Sequence, residues 1–271
     1  MTDIHVGFQN ADRTTEAETL FRFLDEASAL DSIQSYRRQM LELHPPKSSD
    51  HVLDIGCGIG NSTLDLASKV GEAGLITGID KSETLIAEAR RRAEGLDMSV
   101  AFQVGDACRL DHPDDHFDLC RIERVLMYIE TPERALDEMI RVLRPGGHFA
   151  LFEFDYDCIV VDAPDKRLTE RIVQLASDSI PSPWIGRRLP GLLRERGARN
   201  LTVTPHMVFT PLDQFHRVMD GTTRTAIRQG DLEAAAVDRW WGDLERSETD
   251  GAFFAGFLGF MVCGYSEARD Q

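Results

Sequence analysis

What most constrains this chain is an alternation between His51 and Asp155, where short apolar runs are separated by segments of helical period or by turns. "HVLDIGC", "LITGID", "MSVAFQVGD", "FDLCRIER" and "HFALFEFD" read as strands, rich in β-branched and aromatic residues. Asn61 or Ser62 can cap a helix running through Val70. Ser82 caps "ETLIAEARRRAEG", in which Leu85, Ile86, Ala89 and Ala93 share one side and Gly95 ends the run. Thr131 followed by Pro132 opens a further helix, whose Leu136, Met139, Ile140 and Leu143 recur at i, i+3, i+4 and i+7. Strands separated by helices pair in parallel through crossovers, so the fold class is α/β with an open sheet and helices on both faces.

Outside that block the rhythm differs. Residues 15–44 read as two helices broken near Asp31, and "HPPKSSD" is a linker, because paired prolines cannot continue a helix. After Asp155 comes a longer excursion with a helix around Lys166–Ser179. Then follow a strand in "NLTVTPHMVFT", helices in "LDQFHRVMDG" and "LEAAAVDRWWGDLERS", and a last strand in "FFAGFLGFMVCGYS". The expected organisation is a helical cap over 1–48, a ligand-binding core over 49–156, a lid or substrate wall over 157–197 and the remaining core over 198–271. All four belong to one domain.

Charge and cysteine content exclude several function classes. A formal charge of −16 without clustered Lys and Arg argues against nucleic acid as partner, and Arg90 to Arg92 read as a solvated helix face. The apolar run "GAFFAGFLGFMVCG" is too short and too glycine-rich for membrane insertion. The polar, acidic beginning "MTDIHVGFQNADRTTE" has no signal-peptide pattern. Five scattered cysteines form no C-x-x-C pair, which points to reduced thiols, a cytoplasmic location and no metal site.

The chemistry gathers at the strand ends. In "VLDIGCGIGN", Asp54 precedes glycines at every second position, Gly56, Gly58 and Gly60, so a ligand can approach bare backbone at a helix N-terminus. Taken alone, the turn also suits tight packing or a dinucleotide site. Asp80 ends the second strand, where an acid can accept from both ribose hydroxyls or simply cap a loop. Asp106 ends the third strand in "VGDACRL", and "RVLRPGGHFALFE" is a helix–turn–strand signature.

Together these stretches resemble class I S-adenosylmethionine-dependent methyltransferases, most of all the small-molecule branch that includes the ubiquinone/menaquinone-biosynthesis type. The likeness is close over residues 50–154. It implies a Rossmann-like sheet of seven strands with the last antiparallel, an N-terminal helical cap and an insertion after strand 5. It also implies S-adenosylmethionine as methyl donor and S-adenosylhomocysteine as product. Carried onto matching positions, Asp54, Gly56, Gly58 and Gly60, with Cys57 between them, surround the methionine and ribose portion. Asp80, with Lys81 beside it, holds the ribose; Asp106 and Ala107 flank the adenine; Arg121 lines the pocket near the methyl. The G-x-G-x-G spacing after an in-strand acid favours this over NAD, whose fingerprint is G-x-G-x-x-G. This chain departs from the pattern at Tyr128, where many relatives carry His, and at Arg121, where they carry a small residue. A charged Arg121 either meets a polar or anionic group or pairs with Glu123.

Methyl transfer from a sulfonium needs alignment more than proton transfer, and a base only if the acceptor must lose a proton. The candidate bases are Glu153, Asp155 and His206, with His216 behind them. Each has a bland alternative as a cap or a solvated loop residue. Tyr128, Trp184 and Arg187 join Arg121 as candidate substrate contacts, with Arg188 beside them; a helix start with Trp184 in the core is the alternative for that stretch. Layout alone suggests that Tyr36 and Arg37 close over the cofactor's carboxylate. Trp240 and Trp241 belong to core packing or to a homodimer surface. The expected function is methylation of a secondary-metabolite or quinone-like small molecule. A protein of the same fold that binds the cofactor without transferring methyl, such as a cyclase, is the alternative.

Overall fold

A computed structural model describes residues 7–8, 11–13, 17–70 and 73–267. Two helices, α1 (Ala17–Ala29) and α2 (Asp31–Leu43), lead into the alternating block. That block contains β1 (His51–Ile55), α3 (Asn61–Ala67), β2 (Leu75–Asp80), α4 (Glu83–Ala93) and β3 (Val100–Val104). It continues with β4 (Phe117–Glu123), α5 (Pro132–Val142) and β5 (Leu143–Val161). The remainder holds α6 (Lys166–Asp178), α7 (Ile185–Glu195), β6 (Arg199–Phe209), α8 (Leu212–Gln229), α9 (Ala234–Thr249) and β7 (Ala255–Tyr265).

The strands form one seven-stranded sheet in the order β3-β2-β1-β4-β5-β7-β6. The first five are parallel, and β7 runs antiparallel between β5 and β6. From β1 the chain first winds outward through β2 and β3, then returns to add β4 and β5 on the other side. That reversal leaves a crevice at the carboxyl ends of β1 and β4, where ligands bind in open α/β sheets.

The central strands are apolar along one face, while the other carries Val52, Leu119 and Phe152 beside Asp54, Arg121 and Glu123. Leu53 and Ile55 of β1, Cys120 and Ile122 of β4, and Phe149, Leu151 and Phe152 of β5 are buried. Tyr36 of α2 stacks on Phe152 at 3.8 Å and 8° between planes, which docks the helical cap on the sheet. Trp240 is core as well, its indole N–H donating to Thr169 at 2.9 Å, while Trp241 packs on His216 at 4.3 Å.

Local signals held in part. Ser82 caps α4 by accepting from the Leu85 N–H, and Pro132 occupies the first turn of α5. At α3 the expectation was wrong: Gly60 is the cap residue, in a left-handed conformation at φ +84°. Asn61 is already helical, donates its side-chain amide to Asp25, and the helix ends at Ala67 rather than Val70. The fifth strand is much longer than "HFALFEFD". After an irregularity between Phe154 and Ile159 it pairs again with β7 as far as Val161, so residues 157–161 continue the sheet.

Acidification acts on a pair of histidines under the sheet. His44 Nδ1 at the end of α2 lies 3.4 Å from His148 Nδ1 on β5. Burial first, then His148, holds His44 below the usual histidine value; burial first, then Lys47, lowers His148. Burial lowers His112 and His206 too. The fold therefore holds these rings neutral, and the unfolded chain takes up their protons near pH ~6.5. Their contribution to stability is complete above that pH and is lost as pH falls through the depressed folded values. Urea midpoints are expected to drop from pH 7.5 to pH 5.5, with a shallower slope in His148→Gln. An unchanged slope in that variant would remove the pair from the account.

Candidate functional site

The crevice opens into a cavity of about 520 Å³. Its floor is the turn after β1. The Gly56 and Cys57 N–H groups both donate to the Ile79 carbonyl, at 2.6 and 3.0 Å, tying that turn to the end of β2. Gly56 has φ +75°, and a Cβ there would fall 2.1 Å from Val125 Cγ2, so only glycine brings β1 and the loop after β4 this close. The Gly58 N–H donates to Asp80 Oδ2 and the Ser82 N–H to Asp80 Oδ1, both at 3.0 Å. That clamp fixes the carboxylate at the cavity wall, and burial raises its pKa above the ordinary aspartate value against those two bonds.

Lys81, Asp106, Ala107 and Cys108 extend the same wall, with Asp106 Oδ1 accepting from the Cys108 N–H at 2.8 Å. Asp54 is buried behind the turn and accepts from Thr63 Oγ1 at 2.6 Å. Cys57 also lines the cavity, and burial pushes its thiol well up, with Asp54 and Asp80 adding to the effect. Gly60 does not reach the wall. Its bareness serves packing, since a Cβ there would come within 2.8 Å of Phe102 Cζ.

At the end of β4, Glu123 collects donors from three elements. Its Oε1 accepts from Tyr36 Oη at 2.6 Å and from Arg37 Nη2 and Nε at 2.7 and 3.1 Å. Its Oε2 accepts from Arg37 Nε at 3.0 Å, from Ser62 Oγ at 3.3 Å and from Arg121 Nη2. Arg121 is buried with Asp54 as a second acidic neighbour. Burial pulls its pKa down, Asp54 opposes that, and Arg37 reinforces it.

Beyond Glu123 the cavity turns apolar and aromatic. The short turn Leu126–Tyr128 brings in Tyr128, β5 contributes Phe154 and Tyr156, and Val208 and Phe257 arrive from the antiparallel strands. Phe8 closes the far side, 5.9 Å from Phe23 and 5.7 Å from Tyr128 between ring centroids.

Residues 46–182, about half of the chain, match the model of a methyltransferase domain family. The chain belongs to that family. A protein described as an uncharacterized 37.1 kDa protein in a transposon of Streptomyces fradiae is 34% identical over 89% of this methyltransferase-family chain and 69% of its own length. The ubiquinone/menaquinone biosynthesis C-methyltransferase UbiE of Ectopseudomonas mendocina is 31% identical over 55% of this chain. That match spans 63% of the relative's length, less than two thirds. Among solved structures, the phosphoethanolamine N-methyltransferase 2 of Haemonchus contortus, in complex with S-adenosyl-L-methionine, superposes with a TM-score of 0.61. It is 18% identical, and the superposition covers 99% of this chain and 61% of that one.

Within this methyltransferase-family chain, the cofactor-side residues read from the sequence converge on one wall, Gly60 and the two residues below excepted. Tyr36 and Arg121 do not reach the wall; both are buried and committed to Glu123, while Arg37 does line it. Arg121 thus takes the ion-pair alternative.

The candidate bases lie off the wall as well. Glu153 is fully buried and accepts from the Val125 and Leu126 N–H groups at 2.8 Å each and from Met127 at 3.4 Å. Burial pushes its pKa up to about 7 against those bonds. Its visible work is to hold the turn that carries Tyr128. Asp155 is buried against Arg187, and the Arg187 guanidinium lies 5.0 Å over the ring of Trp184, which is half exposed on the outer surface. Trp184 is therefore neither in the core nor at the cavity, and Arg188 goes to Glu133 at 2.8 Å. His206 packs 5.9 Å from Tyr36 and does not line the cavity.

The sequence reading named Tyr128 but missed Arg124, the place of Ser62 at the site and the rest of the aromatic wall. The alternation of Phe154 and Tyr156 on one face of a strand was the available signal for the wall. Among the described residues, no group of three or more His, Cys, Asp or Glu is placed to hold a metal, and no helix is long and apolar enough to cross a membrane.

Proposed function

We propose that this protein transfers the methyl group of S-adenosylmethionine to an apolar small molecule of the quinone-like or secondary-metabolite kind. One observation carries the reading: a single cavity joins a clamped strand-end carboxylate, Asp80, to an aromatic chamber. The residues fit the cofactor. Asp80 uses one lone pair on each oxygen for the Gly58 and Ser82 N–H groups and keeps the others for a vicinal diol. The turn at Gly56 and Gly58 leaves backbone at the wall, and Asp106 with Ala107 lines the same cavity and would hold the adenine. Arg37 reaches the wall from α2 and would meet the cofactor's carboxylate.

When bound, S-adenosylmethionine supplies an electrophilic methyl group on a sulfonium. The chain's own work is alignment and exclusion of water: Tyr128, Phe154, Tyr156 and Phe257 shape an apolar chamber that orients a flat acceptor along the line of displacement. Glu123, Glu153 and Asp155 are all saturated by donors or paired, so none of these carboxylates stands ready as a base. That supports an acceptor whose nucleophile needs no help from these groups to lose a proton.

Calorimetric titration with S-adenosylmethionine, S-adenosylhomocysteine and NADH tests the cofactor. Heat from the first two and none from NADH is expected; the reverse pattern overturns the proposal. Incubation with labelled donor and a panel of quinols and phenols should release S-adenosylhomocysteine in an acceptor-dependent way. Binding without any release across the panel favours the non-methylating, cyclase-like reading.

A further inference from the structure

We infer that Arg124 reads an anionic oxygen on the acceptor, so that the substrate of this site is an ionised phenol, enol or acid. The inference rests on the methyl-transfer reading above.

Three observations carry it. Arg124 lines the cavity and has φ +59°, a left-handed conformation that side-chain-bearing residues seldom adopt and that recurs at functional sites. Its N–H donates to the Phe152 carbonyl at 2.8 Å, and the following turn is pinned to Glu153, so the backbone from which this side chain leaves is fixed.

Second, the guanidinium is poorly matched by its neighbours. Its contact with Glu123 is 3.4 Å, to an Oε1 that already accepts from Tyr36 and twice from Arg37, although an oxygen has only two lone pairs. Its Nε is buried without a partner, as is the Nε of Arg121.

Third, the acidic neighbours of Arg124 are spent on other donors. Glu123 serves Tyr36, Arg37, Ser62 and Arg121, and Glu153 serves the Val125, Leu126 and Met127 N–H groups. S-adenosylmethionine brings no net anion, because its ammonium and carboxylate offset each other and its sulfonium is positive. The acceptor is then the molecule that supplies an anion to this guanidinium.

An acceptor of this kind accounts for the saturated carboxylates around the chamber. For an oxygen nucleophile, the lone pair of the anion forms the new O–CH3 bond as the S–CH3 bond breaks, and that bond's electron pair stays on sulfur. The products are a neutral methyl ether, or a methyl ester from an acid, and a neutral thioether, with no proton to remove. Two opposite charges annihilate in a dry pocket, which favours the transition state. Arg124 touches the acceptor in this account and sets its specificity.

The test uses two probes of one shape, 4-hydroxycoumarin, an enolate at neutral pH, and 4-methoxycoumarin, its neutral methyl ether. Each is titrated calorimetrically into the protein saturated with S-adenosylhomocysteine. The enolate is expected to bind about tenfold tighter or more, the size of one charge-assisted hydrogen bond. Arg124→Gln should erase that preference while affinity for S-adenosylhomocysteine stays within about twofold. Arg124→Lys should restore part of it.

Equal affinity of the wild type for both probes overturns the inference. So does a loss of S-adenosylhomocysteine affinity in Arg124→Gln, which would place the guanidinium on the cofactor's carboxylate instead. If the wild type does not bind S-adenosylhomocysteine, the methyl-transfer reading falls, and the anion preference is read on the protein alone.

Discussion

Glu123→Ala is expected to lower the unfolding free energy by about 3–5 kcal/mol, the loss typical when one partner of a buried charge network is removed. Glu123 is nearly inaccessible and accepts from Tyr36, Arg37, Ser62 and Arg121, with Arg124 beyond them. Without it, guanidinium groups from α2 and β4 face one another across a space of low dielectric. Asp54 on its own is a single carboxylate against the guanidinium groups of Arg37 and Arg121.

Arg121→Met separates this account from a simple loss of contacts. That change removes a cation whose Nε has no partner and leaves Glu123 its bonds to Arg37, Tyr36 and Ser62. Its loss of stability should be much the smaller of the two. Urea unfolding of both variants at pH 7.5 decides the matter. Equal losses would mean that packing, and not the charge of Glu123, holds the cap on the sheet.

What the sequence disclosed follows from the range of the forces involved. The cap at Ser82, the glycine turn and the acid ending β2 are each specified within a few residues, so they were legible. Parallel pairing followed from the alternation, and the antiparallel last strand from the resemblance. Long-range partners were not legible in the same way. Tyr36 reaches Glu123 across 87 residues and Arg37 across 86, and nothing local to either helix or strand announces that bond. Asp155 looked like a free carboxylate at a strand end until the fold brought Arg187 onto it from 32 residues away.

The end of β5 shows the same limit for backbone. "DCIVV" has strand-forming residues, yet whether it continues the sheet depends on β7, which supplies partners for Ile159, Val160 and Val161 from Phe257, Gly256 and Ala255. The aromatic chamber was hidden for a related reason. Its residues come from the N-terminal segment, the turn after β4, β5, β6 and β7, and only the sheet order makes them neighbours. Arg124 carried no signal of its own, since an arginine after a strand reads as a solvated end until its buried Nε and positive φ are seen.

Asp80→Ala is expected to weaken binding of S-adenosylhomocysteine by about 30-fold to 1000-fold, or about 2–4 kcal/mol, the worth of two hydrogen bonds to a charged acceptor. The proposed contact is the ribose diol, and the Gly58 and Ser82 N–H groups hold both oxygens in place before any ligand arrives. Asp80→Asn is not a mild control here. Each carboxylate oxygen accepts from a backbone N–H, so either orientation of the amide would turn its NH2 against one of those donors. Asparagine should therefore lose nearly as much as alanine, whereas at a loosely held carboxylate it would retain most of the affinity. The rise in melting temperature that S-adenosylhomocysteine gives the wild type should vanish in both variants. Acidification ought to act in the same direction on the wild type. Because burial raises the pKa of Asp80, affinity should begin to fall at a higher pH than an ordinary aspartate would give. Calorimetry from pH 8 to pH 5 follows that loss, and an Asp80→Asn protein that binds as tightly as the wild type would remove Asp80 from the cofactor site.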